Sequence, residues 1–224
     1  MYSIALDGPA GVGKSTLAKS LAEKLSYIYV DTGALYRALA VYFSGKGLSG
    51  DNEEEISESL SGIDISMEYV NGEQLVFVNG EDVTGLLRTP AVSDMASRTS
   101  QYKKVRAKLL MIQREMAERY NVIMDGRDIG TVILPDATLK IFLTADPKVR
   151  AGRRYNQMIE QGILGESTLE SIEQEIIERD YRDSHREQAP LMAAADAVTV
   201  DTSFLTIEEV EERILTLLRE RTEA

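Results

Sequence analysis

Residues 8–15 read Gly8-Pro9-Ala10-Gly11-Val12-Gly13-Lys14-Ser15 and decide the fold. They follow a short apolar run, Tyr2 to Leu6, and open the stretch Lys14 to Leu25, where apolar residues recur at helical spacing. The pattern GxxxxGK followed by Ser or Thr, between a strand and a helix, predicts a loop whose backbone N–H groups converge on phosphate oxygens. We expect Lys14 to bridge the outer phosphates and the Ser15 hydroxyl to ligate Mg²⁺.

This loop predicts a nucleotide site but leaves the reaction open. We expect residues Gly8 to Thr16 to bind the phosphates of a nucleoside triphosphate, and switches, motors and kinases all share such a loop. A GTP-dependent switch would normally carry Asn-Lys-x-Asp to read guanine, and the sequence has none. Asp82 to Gly85 matches the DxxG element of such switches, but this match is weak because it lies in a predicted hairpin. The second substrate must be predicted from other segments.

The composition restricts the class of protein and its partners. The chain has 224 residues, no cysteine and one histidine, which excludes disulfides, thiolate metal sites and imidazole clusters. Its formal charge of −12 disfavours nucleic acid as a partner, and an anionic ligand needs local positive charge. No apolar run approaches the ~18 residues of a membrane span, and no secretion signal is visible. We therefore expect a folded, cytoplasmic protein.

Predicted strands and helices alternate along most of the chain. The strand runs are short and mostly apolar, as in strands that helices cover on both faces. Beyond the first strand they are Tyr27 to Val30, Val122 to Met124, Leu139 to Leu143 and Ala197 to Val200. The later helices are Ala34 to Phe43, Pro90 to Arg98, Val105 to Arg119, Pro147 to Glu160, Leu169 to Arg182 and Ile207 to Arg219. This order predicts an α/β fold with a central parallel sheet.

An antiparallel insert is predicted between about residues 61 and 85. Three β-prone runs, Ile63 to Val70, Gln74 to Val78 and Glu81 to Thr84, are separated by Asn-Gly pairs at residues 71–72 and 79–80. Asn and Gly tolerate the positive φ angles that tight hairpin turns require. The sequence therefore predicts hairpins at both pairs.

Capping signals mark the starts of three later helices. Pro147 follows Asp146 and suits the first helical position. Ser167 with Glu170, and Thr206 with Glu209, both fit capping boxes, in which the hydroxyl accepts the third residue's N–H and the carboxylate returns to the cap.

Arginines occur where predicted strands end and helices begin. Arg37 lies in the helix after the second strand, and Arg127 follows the strand at 122–124, at the carboxyl edge where open α/β sheets bind ligands. Phosphoryl transfer needs such positive groups to align two polyanions. Two further sets lie in helices: one of Arg179, Arg182, Asp183 and Arg186, and one of Lys148, Arg150, Arg153 and Arg154 ahead of the possible hinge at Gly162 and Gly165. By spacing alone, a solvated salt-bridge ladder explains the first set better than a binding site does. A solvated helix face explains the second set equally well.

Together these segments resemble the bacterial cytidylate kinases, a branch of the nucleoside monophosphate kinases. The resemblance spans essentially the whole chain. It rests on the phosphate loop, Asp31-Thr32-Gly33-Ala34-Leu35-Tyr36-Arg37, the insert, Ser97 with Arg106, Asp125-Gly126-Arg127-Asp128-Ile129-Gly130-Thr131, Arg179 to Arg186, and Ala189-Pro190-Leu191. The DGRDIGT and RDxRDxxR segments are more specific than the phosphate loop, which many enzymes share.

The resemblance implies a P-loop NTPase fold of three layers with a central parallel sheet. It adds an antiparallel β insert in the part that binds the nucleoside monophosphate (NMP), and a short helical lid. We expect one kinase domain over residues 1–224, with a core of about 1–36, 103–149 and 166–224. The NMP-binding insert would cover about residues 37–102 and the lid about 150–165.

The resemblance also implies an activity and a division of roles. The family transfers the γ-phosphoryl group of ATP to CMP or dCMP with Mg²⁺. The acceptor phosphate would be held by Arg37, Arg127 and Arg186, the ribose by Arg179 and Asp183, and the base by Ser97, Arg106 and Asp128, with Thr32 and Tyr36 also in the substrate site. The catalytic residues would be Lys14, Arg127, Arg153 and Arg154. Some members of the family have Ser at the position of Thr32, so this chain carries one additional methyl group in that part of the substrate site.

The chemistry of the base agrees with these roles. Cytosine offers an exocyclic amino donor, which suits the Asp128 carboxylate, and acceptors that suit Arg106 and Ser97. Uracil would bring a carbonyl against Asp128, leaving that carboxylate unpaired and repelled, so discrimination against UMP is expected to be large. Asp31 and Asp125 are candidates to orient magnesium waters, with Asp125 preferred, although either could simply order its loop. His185 is expected to be a solvent-facing helical residue.

Other functions remain open at this stage. A kinase for UMP, AMP or dTMP differs from the preferred prediction only in its acceptor. A nucleotide-dependent switch predicts weak dependence on an acceptor, and a nucleic-acid-binding module is disfavoured by the charge. The partners that we expect are the small nucleotides CMP, dCMP and ATP, with no nucleic acid and no membrane, and the default oligomeric state is a monomer.

Overall fold

The computed structural model describes residues 1–70 and 73–223 and alternates strands with helices, as the sequence predicts. In chain order the elements are β1 (Ser3–Asp7), α1 (Lys14–Leu25), β2 (Ile28–Asp31), α2 (Thr32–Gly45), α3 (Glu53–Ser59), β3 (Ile65–Val70), β4 (Glu73–Val78), β5 (Glu81–Asp82), α4 (Pro90–Thr99), α5 (Lys103–Arg119), β6 (Val122–Gly126), β7 (Leu139–Thr144), α6 (Pro147–Glu160), α7 (Leu169–His185), β8 (Val198–Asp201) and α8 (Ile207–Thr222). A 3₁₀ turn covers Thr84–Leu86 and a π-helical turn covers Ile129–Ile133.

The central sheet is parallel and has the strand order β2-β6-β1-β7-β8. Alternation along β1 assigns its side chains to two layers: Ile4 and Leu6 pack with α1 and α8, whereas Ala5 packs with the π-helical turn and α5. This sandwich of helices around a sheet confirms the predicted three-layer α/β fold. The carboxyl ends of β1, β2 and β6 meet at one edge, which is where ligands bind in open sheets of this kind.

A second, antiparallel sheet has the order β3-β4-β5. Its apolar side chains, among them Val76 and Val78, join α2, α3, α4 and α5 in a separate hydrophobic core. The turn between β4 and β5 is formed by Asn79 and Gly80, both with positive φ (51° and 80°), so the predicted hairpin is confirmed. The other predicted turn, at residues 71–72, lies outside the described residues.

The structure corrects one of the two predicted capping boxes. The box at Thr206 and Glu209 is confirmed, with both reciprocal hydrogen bonds present. The box at the start of α7 is formed by Thr168 and Ser171 and not by Ser167 and Glu170. The reason is that the Ser167 N–H is bonded to the Leu164 carbonyl, which holds Ser167 in the preceding turn.

Two elements were missed by the sequence patterns. The short helix α3 buries only Ile56, so it lacks an apolar period, although Asn52 caps it and three glutamates occupy its first turn. The π-helical turn depends on a contact across the sheet, described below.

Helix α7 ends at His185, so Arg186 lies just beyond the helix in extended backbone. No helix within residues 1–70 and 73–223 is both long enough and apolar enough to span a bilayer.

Candidate functional site

The loop between β1 and α1 is built to surround an anion. At Gly8, a Cβ would come within 2.3 Å of the Leu143 carbonyl oxygen, so only glycine fits against β7. Gly13 precedes α1 with φ of 96° and has no side chain to cap the helix. The first N–H groups of α1 therefore stay available to a phosphate, in the positive field of the helix N-terminus.

Lys14 closes the loop from within. Its Nζ donates hydrogen bonds to the carbonyls of Gly8 (2.8 Å) and Pro9 (2.7 Å), and the side chain is buried. Burial lowers the pKa of Lys14 well below its usual value, and the positive charges of Arg127 and Arg179 lower it further. Two arginines that are distant in sequence are therefore electrostatic neighbours of the phosphate-loop lysine.

Ser15 faces a carboxylate at the end of β6. Its hydroxyl donates to Asp125 Oδ2 (2.9 Å), and the Tyr29 hydroxyl donates to Oδ1 (2.9 Å). Burial raises the pKa of Asp125, and the nearby Asp31 raises it further, against the opposing charge of Lys14 and the hydrogen bonds from Ser15 and Tyr29.

This donor set fits Mg²⁺. The described residues contain no group of three or more His, Cys, Asp or Glu side chains that could form a metal site of their own. Mg²⁺ typically uses only one or two protein oxygens, several waters and the substrate's phosphates. The Ser15 hydroxyl and the Asp125 carboxylate provide such oxygens next to the phosphate loop.

Three charged residues from two segments form a cluster next to the loop, in which Asp183 is buried and the two arginines are partly exposed. Arg127 Nε donates to Asp183 Oδ2 (2.8 Å), and Arg179 Nε lies 4.0 Å from the same oxygen. Burial alone would raise the pKa of Asp183, but the two arginines outweigh it and hold that pKa below its usual value. Burial and the charge of Arg127 lower the pKa of Arg179 to about 10, as expected where positive groups are crowded without enough anions.

A second cluster surrounds Asp128. Its carboxylate is paired with Arg106 and lies 3.6 Å from Arg186. The Arg106 guanidinium also stacks over the Tyr36 ring, 5.7 Å from its centroid. Arg186 is held in turn by the Ala189 carbonyl (2.8 Å from Nε). The predicted base-reading pair of Arg106 and Asp128 is thus in direct contact.

Ser97 supplies a polar group that the protein itself leaves unpaired. Its Oγ is buried and has no hydrogen-bond partner among the described residues. Leaving a buried hydroxyl unsatisfied is unfavourable, so such an atom commonly marks a place where a ligand or an ordered water binds. The prediction that Ser97 reads the base remains a prediction.

Arg37 and Thr32 are held at the start of α2. Arg37 Nη2 donates to Asp31 Oδ2 (2.7 Å), and Thr32 Oγ1 donates to the Asp125 backbone carbonyl (2.7 Å). Gly33 lies beneath the Arg37 guanidinium, because a Cβ at that position would come within 2.8 Å of Nη1. Asp31 therefore orders the Arg37 side chain, while Asp125 faces Ser15.

The arginines of α6 divide between two environments. Arg153 donates to the Thr202 carbonyl (2.6 Å) and hydroxyl (3.1 Å), and the side chain of Arg154 reaches Gln157 at the surface. Arg150 is buried instead: it pairs with Asp180 (2.6 Å) and donates to the Ala10 carbonyl of the phosphate loop (3.0 Å). Contact with the loop is therefore made by Arg150, and the catalytic roles of Arg153 and Arg154 remain predictions.

His185 lies outside the cluster of charges. It is exposed, its ring stacks on Tyr181 with centroids 4.0 Å apart, and Nδ1 is 3.0 Å from the Tyr181 carbonyl. The prediction of a solvent-facing helical residue is confirmed. Arg182 also points away from the site, toward Asp94 on α4 at 3.6 Å.

Several residues that organise the site were missed by the sequence analysis. The Asp7 carboxylate accepts the N–H groups of Ile129 (2.8 Å) and Gly130 (2.7 Å), so the end of β1 fixes the π-helical turn that follows Asp128. Tyr29 orients Asp125, and Gln74 contacts Asp31. Only Asp7 had a usable signal in the sequence, because it is a charged residue at the end of a predicted strand, directly before the phosphate loop. The others act through contacts distant in sequence.

Two clusters of positive groups at one sheet edge, one beside the phosphate loop and one around Asp128, are typical of a P-loop kinase, which must hold two phosphorylated substrates. Comparison with known proteins agrees. Residues 4–220 match the family model described as Cytidylate kinase. The chain belongs to the cytidylate kinase family and is thus a phosphotransferase.

Individual relatives cover nearly the whole chain. The cytidylate kinase of Caldicellulosiruptor saccharolyticus is 49% identical over 215 residues, which are 96% of this chain and 94% of that protein. The cytidylate kinase of Thermotoga maritima is 48% identical over 221 residues, 98% of each chain. Among solved structures, a gluconokinase from Sinorhizobium meliloti 1021 is similar in fold, with a TM-score of 0.51 and 16% identity over 99% of this chain and 94% of that one.

Proposed function

We propose that this protein transfers the γ-phosphoryl group of ATP to CMP and dCMP, giving ADP and CDP or dCDP, with Mg²⁺. The observation that carries the proposal is the pair of neighbours Arg127 and Asp128. The charge of Arg127 lowers the pKa of Lys14, whereas Asp128 is paired with Arg106 and lies near Arg186. A donor held at Lys14 and an acceptor read by Asp128 would thus meet at Arg127.

Unused donors support the assignment of the acceptor phosphate and ribose. Arg37 Nε, Arg179 Nε and Arg186 Nη2 are buried and lack hydrogen-bond partners within the part of the chain that the structure describes. Buried guanidinium N–H groups are expected to have partners, and phosphate oxygens satisfy them well. We assign Arg37, Arg127 and Arg186 to the acceptor phosphate, and Arg179 with Asp183 to the ribose, in a site that also includes Thr32 and Tyr36.

The base is assigned to Ser97, Arg106 and Asp128. The Asp128 carboxylate accepts from the cytosine amino group, while Arg106 and Ser97 donate to its ring nitrogen and carbonyl. Burial raises the pKa of Asp128, and the positive charges of Arg106, Arg186 and Arg127 oppose that shift. Uracil presents a carbonyl to the same carboxylate, so UMP is rejected.

Transfer in this site needs alignment and charge compensation and no general base. The phosphate of CMP is already ionised at neutral pH. One of its oxygens attacks the γ-phosphorus in line, and the bond from the γ-phosphorus to the bridging oxygen breaks, so that ADP leaves with that oxygen. Lys14 exchanges its bonds to the Gly8 and Pro9 carbonyls for the outer phosphates of ATP. Arg127, between donor and acceptor, compensates the charge that moves. Arg153 and Arg154 reach the phosphates when the lid closes, which requires Arg153 to leave Thr202.

Mg²⁺ would be held by the Ser15 hydroxyl together with donor phosphates and water, some of it oriented by Asp125. When bound, the ion neutralises charge on the phosphate oxygens during transfer. Asp125 keeps the Ser15 hydroxyl facing the loop, and Tyr29 fixes the orientation of that carboxylate.

The test is a panel of acceptors with MgATP, in which ADP release is measured for CMP, dCMP, UMP, AMP and dTMP. We expect fast release with CMP and dCMP and little with the others. Preference for UMP, AMP or dTMP would replace the proposal with the corresponding kinase. ATP hydrolysis that is equally fast with and without acceptor would exclude a transferase and favour a nucleotide-dependent switch.

We propose further that the enzyme works as a monomer on free nucleotides. The charge of −12 supports this proposal, because it repels nucleic acid and like copies of the chain. Light scattering coupled to gel filtration should give a mass near 25 kDa at micromolar protein. A mass twice as large, or RNA binding that weakens with salt, would contradict it.

A further inference from the structure

Strand β2 is an edge strand whose outer side is free of other strands. Among the described strands it pairs only with β6, and the Ile28 N–H points toward β6, where it donates to the carbonyl of Asn121. Because successive residues of a strand direct their backbone groups to opposite sides, the N–H and C=O groups of Tyr29 and Asp31 point outward. An unpaired edge presents such groups to whatever lies beside it.

Two side chains of the insert bind these outward groups. The Gln74 amide, on β4, accepts the Asp31 N–H (Oε1, 2.9 Å) and donates to the Asp31 carbonyl (Nε2, 3.3 Å). The Tyr69 hydroxyl, on β3, donates to the Tyr29 carbonyl (2.5 Å) and lies 3.3 Å from Gln74 Oε1. One glutamine thus holds both polar atoms of the Asp31 backbone, as a neighbouring strand would.

Asp31 transmits this contact to the site. Its carboxylate accepts from the Ala34 N–H (2.9 Å), which caps α2, and from Arg37 Nη2 (2.7 Å). With its backbone held by Gln74 and its carboxylate by α2, Asp31 has little freedom to move. The direction of the Arg37 guanidinium therefore depends on a side chain of the insert.

We propose that Gln74, on strand β4 of the insert, is a positioning residue that sets the direction of the Arg37 guanidinium through Asp31. This inference rests on the proposed function, since it concerns how CMP is held. The apolar core of the insert is formed by other residues, such as Val76 and Val78. The Gln74 side chain makes two hydrogen bonds to Asp31, and within its own sheet it accepts one longer hydrogen bond, from the Tyr69 hydroxyl (3.3 Å).

The test replaces Gln74 with methionine, which keeps the length of the side chain and removes both hydrogen bonds to Asp31 together with the one accepted from Tyr69. We expect the KM for CMP to rise about tenfold, because two hydrogen bonds of ordinary strength are lost. The KM for ATP should change less than twofold, because the donor site does not depend on Arg37. Glu73→Met is the matched control: it is the neighbouring position on the opposite face, exposed, and should leave both KM values unchanged.

A double-mutant cycle separates positioning from general loosening of the structure. If Gln74 acts through Arg37, then Gln74→Met adds almost nothing to the loss already caused by Arg37→Met. Additive effects, or equal rises of the KM values for CMP and ATP, would overturn the proposal. Tyr69→Phe, a milder change, should give a smaller shift in the same direction, and it provides the test if Gln74→Met does not fold.

The outcomes also distinguish this inference from the function on which it rests. If the wild-type enzyme shows no CMP-dependent ADP release, both the proposed function and the positioning role of Gln74 are wrong. A wild-type enzyme that phosphorylates CMP, together with a Gln74→Met variant of unchanged KM for CMP, would reject the positioning role alone.

Discussion

Asp31, Asp128 and Asp183 determine where the guanidinium groups of this site lie. Each carboxylate holds one or two arginines, and each is at least partly buried, so the ion pairs are formed away from bulk water. Removing one partner from such a pair leaves an uncompensated buried charge. Substitutions of these aspartates are therefore expected to change substrate binding and stability together, whereas smaller changes can separate the two.

Gly33 offers such a change. We predict that Gly33→Ala raises the KM for CMP several-fold, because the added Cβ would come within 2.8 Å of Arg37 Nη1 and 3.2 Å of Asp31 Oδ1. The guanidinium can swing aside, so folding should be nearly unaffected. Steady-state kinetics and thermal unfolding measure the two effects.

Gly45→Ala is the control for this substitution. It lies in the same helix, α2, with open space around the added carbon, and should leave the kinetics unchanged. Equal KM values for CMP in wild type and Gly33→Ala would show that Arg37 does not contact the acceptor.

Asp128 determines the choice of base in our proposal. We predict that Asp128→Asn lowers the ratio of kcat/KM for CMP over UMP by about two orders of magnitude, since a neutral amide can face either an amino group or a carbonyl. The acceptor panel measures this ratio. Asp136→Asn, an exposed change nearby, should leave it unchanged. A ratio unaffected by Asp128→Asn would assign base discrimination to other residues.

The individual arginines were predictable, but their partners were not. A local motif identified Arg127, yet the carboxylate that holds it lies 56 positions away in α7. Helical spacing grouped Arg182 with Arg179, and the structure separates them because Arg182 turns toward α4. Residue type and local position are sequence properties, whereas pairing depends on how the helices pack.

Among the secondary-structure elements, helix α7 carries Arg179 and Asp183 and begins at a cap that the sequence assigned one residue too early. We predict that Thr168→Ala lowers the free energy of unfolding by about 1 kcal/mol, the usual cost of losing a cap. Ser167→Ala should have almost no effect, because the cap hydrogen bonds belong to Thr168 and Ser171. Urea unfolding of both variants measures these free energies. If Ser167→Ala is destabilising and Thr168→Ala is not, Ser167 is the cap of α7.

Long periodic helices and buried strands were the elements best predicted from sequence. Their apolar spacing is a direct consequence of which face meets the core. The π-helical turn could not be predicted in this way, since it is held by the Asp7 carboxylate from the end of β1. A turn fixed by a carboxylate 122 positions earlier in the chain has no local signature.

The stability of the folded chain should depend on pH through Asp7. Burial raises the pKa of Asp7 from 3.8 to about 6, against the hydrogen bonds from Gly130 and Ile129. Between about pH 4 and pH 6 the folded protein thus keeps a proton that the unfolded chain has lost. The contribution of Asp7 to the free energy of unfolding therefore falls as pH rises through this window, by about 3 kcal/mol in total.

Asp7→Asn tests this dependence. The amide cannot lose a proton. The unfolding free energy of wild type minus that of the variant should therefore fall as pH rises from about 4 to 6, and it should level off above 7. Taking the difference removes the contributions of carboxylates that do not interact with Asp7, whereas Asp128 stays coupled because its charge raises the pKa of Asp7. A difference that is constant from pH 4.5 to pH 7.5 would mean that Asp7 ionises normally in the folded protein.

For the chain as a whole, the alternation of strands with helices was enough to predict an α/β fold with a parallel sheet, and the resemblance to the cytidylate kinases added the three-layer arrangement. The docking of the insert on β2 was not predictable, because the side chains that make it belong to a hairpin with ordinary strand patterns. Sequence patterns describe each element with its own apolar face. Contacts between polar side chains and another element's backbone leave no trace in that pattern.

The hydrogen bonds between the hairpin and strand β2 have a consequence for self-association. An open strand edge can pair with the same edge of a second molecule, which is a common route to aggregation. Tyr69 and Gln74 already occupy three of the outward backbone groups at Tyr29 and Asp31, so this route is blocked in the intact protein. An enzyme without its hairpin is therefore expected to aggregate as well as to lose activity, whereas Tyr69→Phe would free only one of these three backbone groups.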